Sequence, residues 1–358
     1  MTWPKVRDEV ALLAGYHSPQ MQVDVRLNTN ESPYPPPEKW IEDLEKEISE
    51  IGWNRYPDRE ASQLVESIAS YHNVVSGNVV AANGSNEILQ SLYLAYGGAN
   101  RSVGIFEPTY ALHSHIARIT GTSIISAERN PSFIIDQETA EAVIAQKPNL
   151  IFLCSPNNPT GIVDSKELIN YVMEECSKMG TLLVVDEAYS EFSGWSAVRL
   201  VNDDAPIVVS KTFSKTWSMA SARLGYLVGP ERIVKALKEI LLPYHLDAFK
   251  QIAGRLALEH VDEMNSRVKL LSSERERVAE ALQQLPVKQW ESGANFILFK
   301  PVEKVGISGQ KLWELLLERS ILVRNCSSWP RLENCLRVTI GTLEENNMFL
   351  NALKGILE

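Results

Sequence analysis

The sequence lacks the clustered cysteine and histidine residues of a metal-binding protein. Its 358 residues include four cysteines and six histidines. No two cysteines form a C-x-x-C pair and no histidines cluster beside them, so no zinc site is predicted. The cysteines are Cys154, Cys176, Cys326 and Cys335. Cys154 and Cys335 lie in apolar runs, which is typical of small core residues.

Long apolar runs and an excess of positive charge are also missing. No uninterrupted apolar stretch approaches the length of a membrane span, and residues 1–15 carry charges where a secretion signal needs an apolar segment. The formal net charge is −10, which argues against non-specific binding to nucleic acid or to anionic lipid. An anionic ligand must then be bound by a few local cations. These absences predict a cytoplasmic protein.

The length of the chain exceeds what one hydrophobic core usually spans. Residues 1–36 are irregular, contain several prolines and show little apolar periodicity, so we interpret them as an N-terminal arm. Residues 37–246 are predicted to form a large domain. A long helical region at about 247–285 and the α+β pattern after it predict a smaller C-terminal domain, residues 247–358.

Short apolar runs separated by amphipathic helical segments dominate residues 78–229. The runs are NVVAA, SVGIF, TSIIS, NLIFLC, TLLVVD, PIVVS and LGYLVG. Near-continuous runs of Val, Ile and Leu are typical of parallel strands buried on both faces. The predicted fold is therefore α/β, a mainly parallel sheet sandwiched by helices, with a smaller α+β domain.

Polar side chains follow five of these candidate strands. In open parallel sheets, ligands bind beyond the carboxyl ends of the strands. The segments at these ends are residues 83–86, 107–110, 155–161, 186–189 and 211–215. A sheet that served stability alone would not need such side chains, so the sequence predicts a ligand site at this edge.

One chemical interpretation accounts for several of these residues together. The amine of Lys215 can form a Schiff base with an aldehyde cofactor. Asp186 can pair with a protonated ring nitrogen and so keep the ring an electron sink. Asn158 and Tyr189 can both hydrogen-bond a phenolate oxygen on that ring.

A phosphate group on the same cofactor would also find ligands. Residues 84–86 begin a helix, whose N–H groups and dipole attract a phosphate. Thr212 and Ser214 supply hydroxyl groups, and Arg223, eight residues beyond Lys215, can bind with two hydrogen bonds.

Each motif alone has a simpler explanation. Residues 84–86 can be only a helix cap, NNPTG only a turn, Tyr110 a core residue and Lys215 a solvated lysine. Asp186 is costly after a buried run unless it has a partner. Lys211 is predicted to be an exposed surface lysine. It is the order of the whole set along the chain that favours a functional site.

The ordered motifs SPNNPTG, VVDEAY and SKTFSK, with an arginine eight residues later, resemble the fold type I pyridoxal-phosphate enzymes. Within that superfamily, nearly the whole chain resembles the histidinol-phosphate aminotransferase family. The more discriminating segments are RLNTNESPYPPP, RYPDRE, AANGSNEILQ and LLPYHL, because the others recur across the superfamily.

The resemblance implies how the matching residues bind pyridoxal 5′-phosphate. Lys215 matches the lysine that holds the cofactor and Asp186 the partner of its pyridine nitrogen. Asn158 and Tyr189 match the ligands of the ring oxygen O3′, and Tyr110 matches the ring that stacks on the cofactor. The residues that match the phosphate ligands are Ser85, Asn86, Thr212, Ser214 and Arg223. Tyr56 matches a tyrosine that reaches the cofactor phosphate of a neighbouring subunit, which implies a homodimer with shared active sites.

The resemblance also implies the substrates. Arg337 matches the arginine that binds an α-carboxylate, and Arg324 matches the one that binds a distal phosphate. Tyr16, Asn28 and Asn295 match residues that close over the substrate or line its pocket. The implied reaction is transamination between L-histidinol phosphate/imidazole-acetol phosphate and L-glutamate/2-oxoglutarate, a step of histidine biosynthesis.

Other activities on this scaffold remain open alternatives. They are an aromatic amino acid aminotransferase and a threonine-phosphate decarboxylase, the latter suggested by the segment ILVRNCSS. A non-catalytic regulator that kept the fold is disfavoured by the length and acidity of the chain. Ser221 departs from the family, which usually has glycine there, and its side chain is expected to tighten the turn beneath the phosphate.

Overall fold

The computed structural model describes residues 2–11 and 19–358 of the chain. The strands are β1 (Val25–Leu27), β2 (Val79–Ala82), β3 (Ser102–Glu107), β4 (Ser123–Glu128), β5 (Leu150–Cys154), β6 (Leu182–Asp186), β7 (Ile207–Thr212), β8 (Gly225–Val228), β9 (Val287–Gln289), β10 (Phe296–Pro301), β11 (Ile321–Asn325) and β12 (Leu336–Thr339). Each of the apolar runs predicted between residues 78 and 229 forms one of these strands.

The α-helices connect and cover the strands. They are α1 (Asp8–Ala11), α2 (Glu38–Ser49), α3 (Ser62–His72), α4 (Ser85–Tyr96), α5 (Ala111–Thr120), α6 (Gln137–Ile144), α7 (Lys166–Met179), α8 (Glu231–Lys238), α9 (Ala248–Ala257), α10 (Val261–Gln283), α11 (Gly309–Leu317) and α12 (Leu343–Leu357). Within the described residues, no helix combines the length and the apolar character needed to cross a membrane.

The larger sheet has seven strands in the order β2-β8-β7-β6-β5-β3-β4. All of its pairings are parallel except those of β8, which runs antiparallel to both β2 and β7. Successive strand residues are buried on opposite faces: Val208 and Val184 lie in one hydrophobic cluster, and Val209 and Val185 in another. A sheet with helices on both faces requires this continuous burial, and the predicted fold class is confirmed.

The smaller sheet has five strands in the order β1-β11-β12-β10-β9. The segment predicted to be an irregular arm contributes β1, which pairs in parallel with β11. Val25 and Leu27 are buried and Arg26 is exposed, as the alternation of a strand requires. Three residues are too short a run to show this period in the sequence, which is why the strand was missed.

The predicted helical region at 247–285 consists of two helices: α9 packs on the core of the large sheet, and α10 runs from that core, through Met264, to the core of the small sheet. Ala253 and Leu256 of α9 belong to the cluster beneath the large sheet. Leu271 and Val278 of α10 belong to the cluster beneath the small sheet. The domain boundaries at residues 36 and 246 stay predictions.

Candidate active site

A cavity at the carboxyl ends of β5, β6 and β7 contains most of the predicted site residues. It is lined by Asn28, Thr29, Asn30, Glu31, Ser85, Asn86, Tyr110, Cys154, Asn158, Asp186, Ala188, Tyr189, Thr212, Ser214, Lys215, Ala220, Arg223 and Arg337. Segment 28–31 was not predicted in full, because only Asn28 was expected to contact a ligand. Tyr16, which was predicted to close over the substrate, lies outside the described residues.

Lys215 lies just beyond the end of β7 and reaches into this cavity. Its Nζ atom donates to the carbonyl oxygen of Thr29 at 3.0 Å and lies 5.7 Å from the centre of the Tyr189 ring. Burial, followed by the positive charge of Arg337, lowers the pKa of Lys215 to about 7. Near neutral pH, therefore, a large share of this amine is in its neutral, nucleophilic form.

Asp186 ends β6 and is held on both carboxylate oxygens. Ser210, its register partner on β7, donates to Oδ1 at 3.0 Å. His113 Nε2 lies 3.2 Å from Oδ2. Only 2% of Asp186 is exposed, so the carboxylate is fixed at the base of the cavity. His113 was missed, although it follows Tyr110 by three residues in the first turn of α5, a spacing that places both near one strand end.

Asn158 and Tyr189 lie beside the arginine that was predicted to bind a carboxylate. The Tyr189 hydroxyl accepts from Asn30 Nδ2 at 3.0 Å. Arg337 donates to Asn158 Oδ1, and its Nη2 donates to the Asn28 carbonyl oxygen at 2.9 Å. Burial raises the pKa of Tyr189 well above its ordinary value, and Arg337 offsets part of that shift.

The two adjacent asparagines have different surroundings. Asn157 is fully buried and donates to the Pro108 carbonyl oxygen at 3.0 Å and to Thr160 at 2.8 Å. It therefore holds the loop, while Asn158 faces the cavity.

The predicted phosphate ligands converge at the start of α4. Arg223 Nη1 donates to Ser214 Oγ at 3.2 Å, and the hydroxyl groups of Thr212 and Ser214 are 3.0 Å apart. Gly84, with φ +82°, precedes the helix, and a Cβ added there would lie 3.0 Å from Arg223 Nη2. Glycine is therefore needed both for the backbone angle and for the approach of the guanidinium group.

Strand β8 passes close to the same helix start. A Cβ on Gly225 would lie 2.3 Å from the backbone nitrogen of Ser85, so a larger residue would not fit there.

Ser221 is exposed in the short 3₁₀ helix Ala220–Ala222 and has no positive φ. The expected tightening of the turn by Ser221 is therefore not seen.

The remaining predicted residues lie beside the cavity. Arg324 and Arg337 are direct partners in the antiparallel pair β11–β12, so their side chains share one face of the small sheet. Arg324 is not among the described residues of the lining, and its Cζ lies 5.5 Å from the centre of the Trp329 ring. Asn295 lies behind the lining and donates to the Asn30 carbonyl oxygen at 3.2 Å.

Several polar atoms at this junction are buried without a hydrogen-bond partner among the described residues. They are Nε of Arg337, Oδ1 of Asn28 and Oδ1 of Asn295. An unsatisfied buried polar group is costly, so their grouping indicates that a polar ligand completes the site.

Tyr56 lies outside the cavity and is 80% exposed. Its ring stacks on Tyr244 with 4.5 Å between the centroids. Trp53, near Tyr56 in the chain, and Leu242, near Tyr244, are also exposed. These four residues define what we call the outer aromatic patch.

The prediction that Lys211 is an exposed surface lysine is wrong. Lys211 is 3% exposed, and its Nζ lies 3.1 Å from Glu187 and 3.0 Å from Glu191. Burial alone would lower the pKa of Lys211, but the carboxylates of Glu191 and Glu187 outweigh it and raise the pKa. Lys211 and its two acidic partners form a buried structural group, and Lys215 alone of these two lysines lines the cavity.

Comparison with known families gives a consistent assignment along almost the whole chain. The family model for aminotransferase class I and II matches residues 23–353. A histidinol-phosphate aminotransferase of Corynebacterium diphtheriae is 39% identical over 364 residues, which cover 99% of this chain and 96% of the relative. Another, of Corynebacterium efficiens, is 40% identical over 362 residues, with 98% and 94% covered.

Solved structures share the fold. Histidinol-phosphate aminotransferase from Sinorhizobium meliloti, in complex with pyridoxal-5′-phosphate, superposes with a TM-score of 0.90 at 19% identity, covering 99% of this chain and 98% of that one. The enzyme from Clostridium acetobutylicum gives 0.84 at 24% identity, with 93% and 99% covered. At these identities the likeness bears on the fold, and it confirms the architecture expected from the resemblance.

Proposed function

The chain belongs to the class I and II aminotransferases and, within them, to the histidinol-phosphate aminotransferase family, and we propose that it transfers an amino group between L-histidinol phosphate and 2-oxoglutarate. The products are imidazole-acetol phosphate and L-glutamate, and the cofactor is pyridoxal 5′-phosphate. One observation carries the proposal: Lys215 and Asp186, from different strand ends, line one cavity together with the side chains predicted to bind a phosphate.

The described residues fit this cofactor at each of its polar groups. Ser85, Thr212, Ser214 and Arg223 would bind the phosphate, beside a helix start that glycine keeps open. Asp186 would pair with the ring nitrogen, while Ser210 and His113 keep its carboxylate in place. Asn158 and Tyr189 would hydrogen-bond the ring hydroxyl oxygen, and Tyr110 would cover the ring.

Bound pyridoxal phosphate supplies an aldehyde that accepts the amino group and a ring that takes up negative charge. Lys215 would hold this aldehyde until an amino substrate displaces it. With a pKa of about 7, the released amine can then take the α-proton of the substrate on Nζ and return it later. Segment 28–31 contacts Lys215 and Tyr189 and so limits the access of water.

Two arginines on one sheet face would divide the recognition of substrate. Arg337 would bind the α-carboxylate of glutamate, and Arg324 would bind the distal phosphate of histidinol phosphate or the distal carboxylate of glutamate. A guanidinium fork suits either anion, whereas a lysine would not hold that geometry. Histidinol phosphate lacks an α-carboxylate, so Arg337 contributes mainly to the glutamate half-reaction.

An assay of the purified holoenzyme with three amino donors tests the substrate. We expect histidinol phosphate to have the highest kcat/KM, well above phenylalanine and threonine phosphate. Faster transamination of phenylalanine would indicate an aromatic aminotransferase, and release of carbon dioxide from threonine phosphate would indicate a decarboxylase.

The outer aromatic patch supports a homodimer with shared active sites. Exposed stacked aromatic residues are typical of protein interfaces, and Tyr56 is the residue expected to reach the cofactor phosphate of a partner subunit. Sedimentation of the wild type and of Tyr56→Ser tests the assembly, and the cofactor affinity of Tyr56→Ser tests this contribution. A cytoplasmic location is supported by the four cysteines, none of which is in a disulfide.

A further inference from the structure

We propose that Trp329 is a positioning residue for Arg324, and that the loop carrying it sets the preference for substrates with a distal anion. The inference deepens the proposed function and rests on it. We call residues 326–335, which connect β11 to β12, the tryptophan loop.

The tryptophan loop is held by its own backbone. Cys326 N donates to the Cys335 carbonyl oxygen at 3.0 Å and closes the base. Trp329 N donates to the Cys326 carbonyl oxygen at 2.9 Å, and Leu332 N donates to the Trp329 carbonyl oxygen at 3.2 Å. Leu332 and Cys326 are fully buried beside Phe133, in a cluster that also contacts Trp329. The indole ring is therefore presented from a defined backbone.

The same loop is attached to the large sheet. Arg331 donates to the Arg129 carbonyl oxygen, and its Nε lies 3.5 Å from Glu128 at the end of β4. Arg129 is itself buried, with Nη1 2.8 Å from Asp164 Oδ1. The tryptophan loop thus connects the two sheets beside the cavity, which restricts the movement of Trp329 relative to both.

The Cζ atom of the Arg324 guanidinium group lies over the Trp329 ring, 5.5 Å from the ring centre. This distance is within the range of a cation–π contact, for which tryptophan is the strongest aromatic partner. Rotation of the Arg324 side chain away from the indole ring would lose this contact. The contact therefore favours side-chain positions that keep the planar N–H fork beside the ring, and two-point binding of a phosphate or carboxylate requires such a restricted fork.

The position of Arg324 makes this orientation matter. Arg324 is opposite Arg337 on the sheet, and Arg337 lines the cavity. Like charges directly opposite each other on one face repel, and the contact with the Trp329 ring is one that acts against this repulsion. Trp329 keeps Arg324 in place beside Arg337, and an anionic substrate then gains from both charges.

The test compares Trp329→Leu with Trp329→Phe in the holoenzyme. For Trp329→Leu we expect the KM for histidinol phosphate to rise about tenfold with little change in kcat, while Trp329→Phe stays within about threefold of the wild type. The inhibition constant of histidinol, which lacks only the phosphate, should not change. Trp290→Leu is the matched control, because it removes an indole from the same cluster, and this indole contacts Phe133 and Lys288.

A double-mutant cycle decides whether Trp329 acts through Arg324. In the Arg324→Ala background, Trp329→Leu should have no further effect on the KM for histidinol phosphate. An undiminished effect there, an equal loss for histidinol, or an equal effect of Trp290→Leu would overturn the proposal, and so would an unchanged KM in Trp329→Leu.

Failure of the proposed substrate can be distinguished from failure of this inference. If the wild type does not turn over histidinol phosphate, the proposed function is wrong, and the same cycle is then measured with glutamate. Its distal carboxylate would contact the same arginine, so coupling between Trp329 and Arg324 on the KM for glutamate supports the positioning role. Absence of coupling there rejects it.

Discussion

Arg324 and Arg337 are opposite each other in the β11–β12 pair, and their side chains lie on the same face of the small sheet. Arg337 contacts Asn158 and the backbone of Asn28, whereas Arg324 makes a cation–π contact with Trp329. Two neighbouring guanidinium groups thus have different supports, which suits two different anions of the substrate.

The first prediction separates these two arginines. Arg337→Ala should raise the KM for glutamate by roughly ten- to a hundredfold, the size of a lost hydrogen bond to a charged group. The KM for histidinol phosphate should change far less, because this substrate has no α-carboxylate. Steady-state kinetics on both substrates measure the effect, and equal increases would reject the division of roles.

The second prediction concerns pH. Lys215 has a lowered pKa of about 7, and only the neutral amine attacks an aldehyde. In cofactor-free protein, the rate of cofactor capture should rise about tenfold per pH unit below pH 7 and level off above it. Stopped-flow absorbance measures this rate.

Arg337→Gln is the control for the pH profile. The charge of Arg337 is a cause of the lowered pKa, so removing it should move the midpoint to higher pH. A wild-type rate that keeps rising to the ordinary pKa of lysine would contradict the assigned environment.

The third prediction concerns the support of Asp186. His113→Phe removes the contact to Oδ2 and should weaken cofactor binding about tenfold, whereas His113→Gln, which can still donate, should lose less. Equilibrium dialysis of the cofactor measures the difference. Equal affinities in both variants and the wild type would show that His113 does not hold the carboxylate.

The fourth prediction concerns the close approach of strand β8 to the start of helix α4, at the predicted phosphate site. Gly225→Ala places a methyl group against the Ser85 nitrogen and should lower the free energy of unfolding by about 1–3 kcal/mol. Gly355→Ala is the control, because it lies in α12 with open space around it and should be neutral or slightly stabilising. Denaturant unfolding compares them, and similar stability of both variants would show that the contact is not tight.

The sequence was sufficient for the residues that follow strands in the chain. Asp186 is the last residue of β6 and Lys215 lies three residues beyond the end of β7, and parallel strands bring such ends together. It was insufficient where a contact depends on long-range packing. Asn30 contacts Tyr189 and Thr339 because the short strand β1 pairs with β11. No periodic pattern of apolar residues in the sequence predicts that pairing.

Lys211 was misjudged for a related reason. A lone lysine is usually solvated, but the alternation within β7 turns Lys211 away from the cavity towards Glu187 and Glu191. Glu187 and Glu191 follow strand β6 in the chain. That their carboxylates compensate the charge of a buried lysine on β7 can be recognised only from the folded structure.

The central claim is that Lys215, and no other lysine, holds the cofactor. The most direct test is to treat the holoenzyme with borohydride, which reduces the imine between a lysine and the cofactor to a stable amine. Mass spectrometry then locates the modified residue. The account predicts modification of Lys215 and its complete loss in Lys215→Ala. Modification of Lys211, or an unmodified protein, would contradict it.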